Sequence, residues 1–125
     1  MTILELTVVI VVLLSLVGIL VLGARAWRIG SDRAVCIINI ASVQKCVRSY
    51  ANLYALTPGS TVNGLVSKVV GEGAFMEKPP VCPGSGAYSY GQMAGADTIP
   101  PVGVLYLECT LASSRKHVPT ETSEW

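Results

Sequence analysis

The run from Leu6 to Leu22 is broken only by Thr7, Ser15 and Gly18, and Glu5 is the one ionisable side chain before Arg25. A helix needs about 20 apolar residues to cross the hydrocarbon core of a bilayer, and this stretch supplies them. Each such side chain taken out of water contributes roughly 1.5–3 kcal/mol. Summed over the segment, that exceeds the net stability of a whole domain, about 5–15 kcal/mol. The segment must be buried, in lipid or in protein. Eighteen of residues 1–24 are apolar, and the rest of the 125-residue chain has the apolar share of an ordinary small globular domain. Nine Lys+Arg against eight Asp+Glu leave no charge excess for holding nucleic acid. A simple cytosolic globule is excluded, and no nucleic-acid partner is expected.

The flanks of the apolar run pull in opposite directions. A signal peptide or plain anchor begins with positive charge, yet Met1–Leu4 carries none and Arg25, Arg28 and Arg33 all follow the run. The positive-inside rule then puts the rest of the chain in the cytoplasm. Four cysteines in so small a domain favour an oxidising compartment instead. A short basic leader that once preceded Met1 and has been removed reconciles the two.

The stretch Met1-Thr2-Ile3-Leu4-Glu5-Leu6-Thr7-Val8-Val9-Ile10-Val11-Val12-Leu13-Leu14 resembles the mature N-terminus of a type IV pilin or type II secretion pseudopilin. The pattern is an aromatic or Met residue, Thr, two aliphatics, Glu at position five and an unbroken apolar helix. The resemblance is specific over residues 1–24 and looser through about Tyr54. It implies leader cleavage before Met1 by a prepilin peptidase and methylation of the Met1 amino group. Members often carry Gly and Pro where this chain has Leu14 and Leu22. Its own glycines, Gly18 and Gly23, are the candidate points of helix flexibility.

Helical periodicity continues beyond Ala24. Cys36, Ile40, Val43, Val47, Tyr50 and Tyr54 advance by three or four residues and form one apolar stripe, with Lys45, Arg48 and Asn52 off it. Thr57-Pro58-Gly59 stops the helix. A helix over residues 2–56 is about 80 Å long, against a radius of gyration near 13 Å for a compact domain of about 100 residues. A stalk with a small head is expected. Val62, Leu65, Val66, Val69 and Val70 predict a short amphipathic helix closed by Gly71 and Gly73. Ala87–Tyr90 and Val104–Cys109 predict two strands of a wide hairpin, and residues 110–125 read as a polar tail. The expected fold is α+β and type IV pilin-like. It divides into a hydrophobic stem at residues 1–24, the second half of the long helix at 25–56, and a head at 57–125.

Four cysteines allow three complete pairings. Cys36 and Cys46 stand ten residues apart on one helix, about 15 Å, beyond the reach of a bridge. Cys82 and Cys109 flank the hairpin and are the favoured disulfide, leaving Cys36 and Cys46 as buried free thiols. Bridges from Cys36 or Cys46 to the head cysteines remain open alternatives. With no C-x-x-C pair and the single His117 in the polar tail, no metal site and no cofactor are expected. Asp97 and Glu108 resemble the calcium loop of major pseudopilins only faintly. The clustered carboxylates of such a loop are absent, so both read as solvated surface charge.

Two readings attach to Glu5, and they are compatible. Locally, Thr2-x-x-Glu5 fits a capping box that starts the helix. An ionised carboxylate in an apolar medium also needs a partner or a proton. The resemblance supplies the partner: the amino terminus of a neighbouring subunit, with Met1, Thr2 and Glu5 as assembly residues. Catalytic parts are missing, since there is one His, no Gly-x-Ser-x-Gly elbow and no phosphate-binding glycine loop. The chain therefore reads as a structural protein: one subunit of an extracellular helical filament of the type IV pilus class. The resemblance implies identical subunits, a prepilin peptidase, a membrane platform protein and an assembly ATPase as partners. It implies residence in the inner membrane before assembly. The alternatives are a major pseudopilin of a type II secretion system and a monomeric membrane-tethered binding module.

Overall fold

A computed structural model describes residues 2–125. It is α+β with a pilin-like layout: α1 (Ile3–Leu53), α2 (Leu65–Val69), β1 (Tyr88–Tyr90), β2 (Leu107–Cys109) and α3 (Ala112–Arg115). By contacts the chain divides at Ser31/Asp32 into two compact units.

In the first unit, α1 begins on the capping box. The Thr2 N–H donates to Glu5 Oε2 at 2.8 Å, and the Glu5 N–H donates to Thr2 Oγ1 at 3.3 Å. Each orphan donor of the first turn gains a local acceptor. The two hydroxyls of the apolar run are also satisfied within the helix. Thr7 donates to the Leu4 carbonyl and Ser15 to that of Val12, each at 2.8 Å. A helix that keeps its polar atoms to itself can enter an apolar medium at little cost. It is continuous through Gly18 and Gly23, where an added Cβ would meet open space.

In the second unit, Asp32–Trp125, the rest of α1 buries the expected stripe: Cys36, Ile40, Val43, Val47 and Tyr50. The helix ends three residues earlier than expected. Ala55 takes a left-handed φ of 51°, the Leu56 N–H reaches back to the Ala51 carbonyl at 2.8 Å, and that of Ala55 reaches Asn52 at 3.3 Å. This is a Schellman closure, made before Pro58 can act. Tyr54 falls beyond it and stays exposed.

Against the stripe lie Leu65, Val69, Val70, Ile99, Tyr106 and Leu107 in one core. The β1–β2 pair is antiparallel, with Tyr88 opposite Cys109 and Tyr90 opposite Leu107. Both strands are shorter than expected, and ahead of the second a helix side chain takes up backbone groups. Gln44, buried on α1, accepts from the Tyr106 N–H at 2.9 Å and donates to the Val104 carbonyl at 3.0 Å. A helix side chain thus serves the Tyr106 N–H and the Val104 carbonyl, while the Tyr106 carbonyl accepts from the Gly91 N–H.

Asp97 and the tail depart from their expected roles, and Arg48 keeps its place off the stripe while finding distant partners. Arg48, placed off the apolar stripe by its spacing, gathers the carbonyls of Pro100, Pro101 and Trp125. Asp97 is not merely solvated: its Oδ1 accepts the N–H groups of Gly64 and Leu65 at 3.1 and 3.2 Å and caps α2. The tail is no loose polar segment either. It holds α3, turns at Lys116 with φ 56°, buries His117 and returns Trp125 to the edge of the core.

Candidate functional site

Two places in the molecule carry more than a fold requires. The first is the apolar segment of α1. Every large apolar side chain from Ile3 to Leu22 is 47–83% exposed. These residues surround the helix rather than forming a stripe. A helix apolar all round belongs inside lipid or inside a bundle. By length and composition this one can cross a membrane. Glu5 and Thr2 face outward at its start, tied to each other by the capping box. Met1, expected to carry the methylated amine, lies outside the described residues.

The second place lies wholly in the second unit. Cys36 from α1, Cys82 before β1, Cys109 at the end of β2 and His117 after α3 are all buried. One ligand-capable atom of each lies within 4.8 Å of all the others. The sulfurs of Cys109 and Cys82 are 3.8 Å apart, and Cys82 Sγ is 3.5 Å from His117 Nδ1. The spacing of the cysteines predicted that Cys82 and Cys109 meet, and they do. In this structure the two sulfurs carry no bond between them and stand as free thiols. The third sulfur and the imidazole share their pocket. Cys46, the fourth cysteine, stands apart and half-buried, and burial raises its pKa.

The surroundings of the four groups are built closely. Tyr88 Oη donates to Cys36 Sγ at 3.2 Å, and Asn39 Nδ2 donates in turn to Tyr88 Oη and to the Val81 carbonyl, each at 3.1 Å. The loop Cys82-Pro83-Gly84-Ser85-Gly86 wraps Cys82 so that the N–H groups of Gly86 and Gly84 point at its sulfur. A side chain at either glycine would force its neighbours to shift. A Cβ on Gly84 would come within 2.9 Å of the His117 ring, and one on Gly86 within 2.8 Å of Cys109 Sγ.

The electrostatics separate the thiols. Burial pushes the Cys36 thiol up to about 12, only partly opposed by the Tyr88 hydroxyl. Burial also works against the Cys82 thiolate, but the Gly86 and Gly84 N–H groups, with the Cys109 and Cys36 thiols, hold its pKa below the ordinary value. Donors aimed at a sulfur favour its anion. A buried group of three thiols and one imidazole has two chemical outlets: a disulfide, or coordination of one cation.

The signal for this cluster was partly present in the sequence. Pairing cysteines by their spacing found Cys82 and Cys109. Placing His117 by the polarity of its neighbours missed it, and so did treating Cys36 as an inert core thiol. Compared with known proteins, the chain matches no family model, no curated protein and no solved structure.

Proposed function

We propose that this chain is a structural subunit of a helical filament of the type IV pilus class. The observation that carries the reading is that every large apolar side chain of Ile3–Leu22 is exposed, on a helix that is apolar on every side. In the proposal this segment first sits in the inner membrane and later in a core of packed helices from identical subunits. One apolar medium replaces the other, so the transfer costs little hydrophobic free energy. Subunits added head to tail without closing a ring produce an open helix, in this reading an extracellular filament.

Glu5 has the second role. Within an assembled core its carboxylate would neutralise the amino terminus of the adjacent subunit, fixing the register between helices. The capping box already orients that carboxylate toward the N-terminal turn. A prepilin peptidase, a membrane platform protein and an assembly ATPase are the partners this class requires.

The experiment is electron microscopy of negatively stained material sheared from cells, with wild type beside Glu5→Ala. Wild-type cells are expected to yield thin uniform filaments containing this chain. Glu5→Ala is expected to abolish or sharply reduce them while the subunit persists in the membrane fraction. Normal filaments from Glu5→Ala would remove the assembly role from Glu5, and a chain that never leaves the membrane as a polymer would remove the filament reading.

A further inference from the structure

We propose that Cys36, Cys82, Cys109 and His117 hold one zinc ion in a closed, four-coordinate structural site with three sulfur ligands and one nitrogen ligand. The inference is independent of the filament reading. A tetrahedral zinc ion with bonds of about 2.3 Å to sulfur and about 2.0 Å to nitrogen holds two sulfurs about 3.8 Å apart and a sulfur about 3.5 Å from a nitrogen. The Cys109–Cys82 sulfurs stand at 3.8 Å, and Cys82 Sγ stands 3.5 Å from His117 Nδ1. With all four ligand atoms inside 4.8 Å, the space between them suits a single ion. Soft thiolates with one imidazole in tetrahedral array select zinc over the hard cations magnesium and calcium.

The surroundings favour coordination over a disulfide. A Cys82–Cys109 bond would use two of the four groups and leave the Cys36 thiol and the His117 ring, both buried, beside it without function. Coordination uses all four. Hydrogen-bond donors converge on the sulfurs: the Gly84 and Gly86 N–H groups on Cys82, and Tyr88 Oη on Cys36. Such outer contacts orient metal-bound thiolates and hold their charge. Tyr88 is itself set by Asn39 from the next turn of α1. The chain also accepts a left-handed backbone at Lys116, a non-glycine residue, immediately before the ring that enters the pocket. Four separate stretches of chain thus converge where no regular element requires them to.

Binding is an exchange of protons for metal with no redox step. The three thiols release their protons to solvent, neutral His117 donates a ring lone pair, and the ion gives up its bound water. The product ties α1, the 82–86 loop, β2 and the tail at one point. The same coordination protects Cys82 and Cys109 from oxidation to a disulfide.

The test uses the full chain purified in detergent under a reductant, with metal measured by elemental analysis. About one zinc ion per chain is expected to survive desalting. Cys46→Ser should keep it, whereas Cys36→Ser and His117→Ala should each weaken retention by more than about tenfold, and Tyr88→Phe by about tenfold. Ligand variants can fail to fold, so the wild-type chain is also stripped with chelator and titrated with cobalt(II). A thiolate-to-cobalt charge-transfer band that saturates at about one equivalent supports the site. Absence of both zinc and that band in the wild-type chain overturns it. So does equal zinc retention by Cys36→Ser, or a Cys82–Cys109 cross-linked peptide as the main species in a thiol-trapped digest of the chain taken from cells.

Discussion

The two halves of α1 put similar residues to opposite uses. Before Ser31, Val, Leu and Ile surround the helix and face outward at every turn; after Asp32, Ile40, Val43 and Val47 form one stripe that is wholly buried. Hydrophobicity alone therefore does not say where a side chain goes. The difference lies in what the rest of the chain can reach. Residues 57–125 supply Leu65, Val69, Ile99, Tyr106 and Leu107 against the stripe, whereas the large apolar side chains of Ile3–Leu22 are exposed. The second half carries its own partner within the chain; the first half is long and apolar enough to cross a membrane.

The contrast can be broken by substitution. The largest expected effect is in the buried stripe. Ile40→Ala should destabilise the Asp32–Trp125 unit by about 2–5 kcal/mol, and Ile10→Ala should leave that unit unchanged. Denaturant unfolding followed by tyrosine circular dichroism distinguishes them, since all five tyrosines lie at or beyond Tyr50. If Ile10→Ala costs as much as Ile40→Ala, the two halves are not independent in the way their burial suggests.

A charge in the stem probes the opposite side. Leu13→Arg should disfavour membrane insertion by about 3 kcal/mol, the cost of an arginine at the centre of a spanning helix, with no change in the tyrosine signal. Membrane fractionation of the variant reads this directly. Unchanged retention would mean that Leu13 does not sit deep in lipid.

The smallest effects come from the glycines. Gly18→Ala meets open space and should raise helix stability by up to about 1 kcal/mol. Gly86→Ala puts a methyl group 2.8 Å from Cys109 Sγ and 3.2 Å from Cys82 Sγ, and should cost about 1–3 kcal/mol. Thermal unfolding of the two variants side by side gives the signs, and a neutral Gly86→Ala would show that the pocket around the sulfurs yields easily.

What could be read from the residues followed their range of action. The Thr2/Glu5 capping box and the Cys36–Tyr50 stripe depend on spacings of three and four residues, and both stand in the structure as expected. The helix end was only approximately legible, because a left-handed Ala55 closes it and nothing in the letter Ala announces that conformation. The partners of Arg48 and Gln44 and the capping role of Asp97 were not legible for a different reason. Their partners are carbonyls and N–H groups 32 to 77 residues away, and backbone atoms have no signature in a sequence. His117 shows the limit most clearly: it lies in a Ser/Thr-rich polar tail, yet its ring is buried beyond the turn at Lys116.

By itself, the sequence determined the apolar stem, the start of its helix and the face that α1 presents to the core. Those features arise from side-chain chemistry repeated at the helical period, so they hold whatever the rest of the chain does. Tertiary structure alone decided that Cys36, Cys82, Cys109 and His117 share one pocket, and that Gln44 serves the Tyr106 N–H. Such meetings depend on how turns at Gly84, Gly86 and Lys116 direct distant segments. A small change in a turn moves those side chains by several ångströms, whereas the helical period is fixed by the backbone itself.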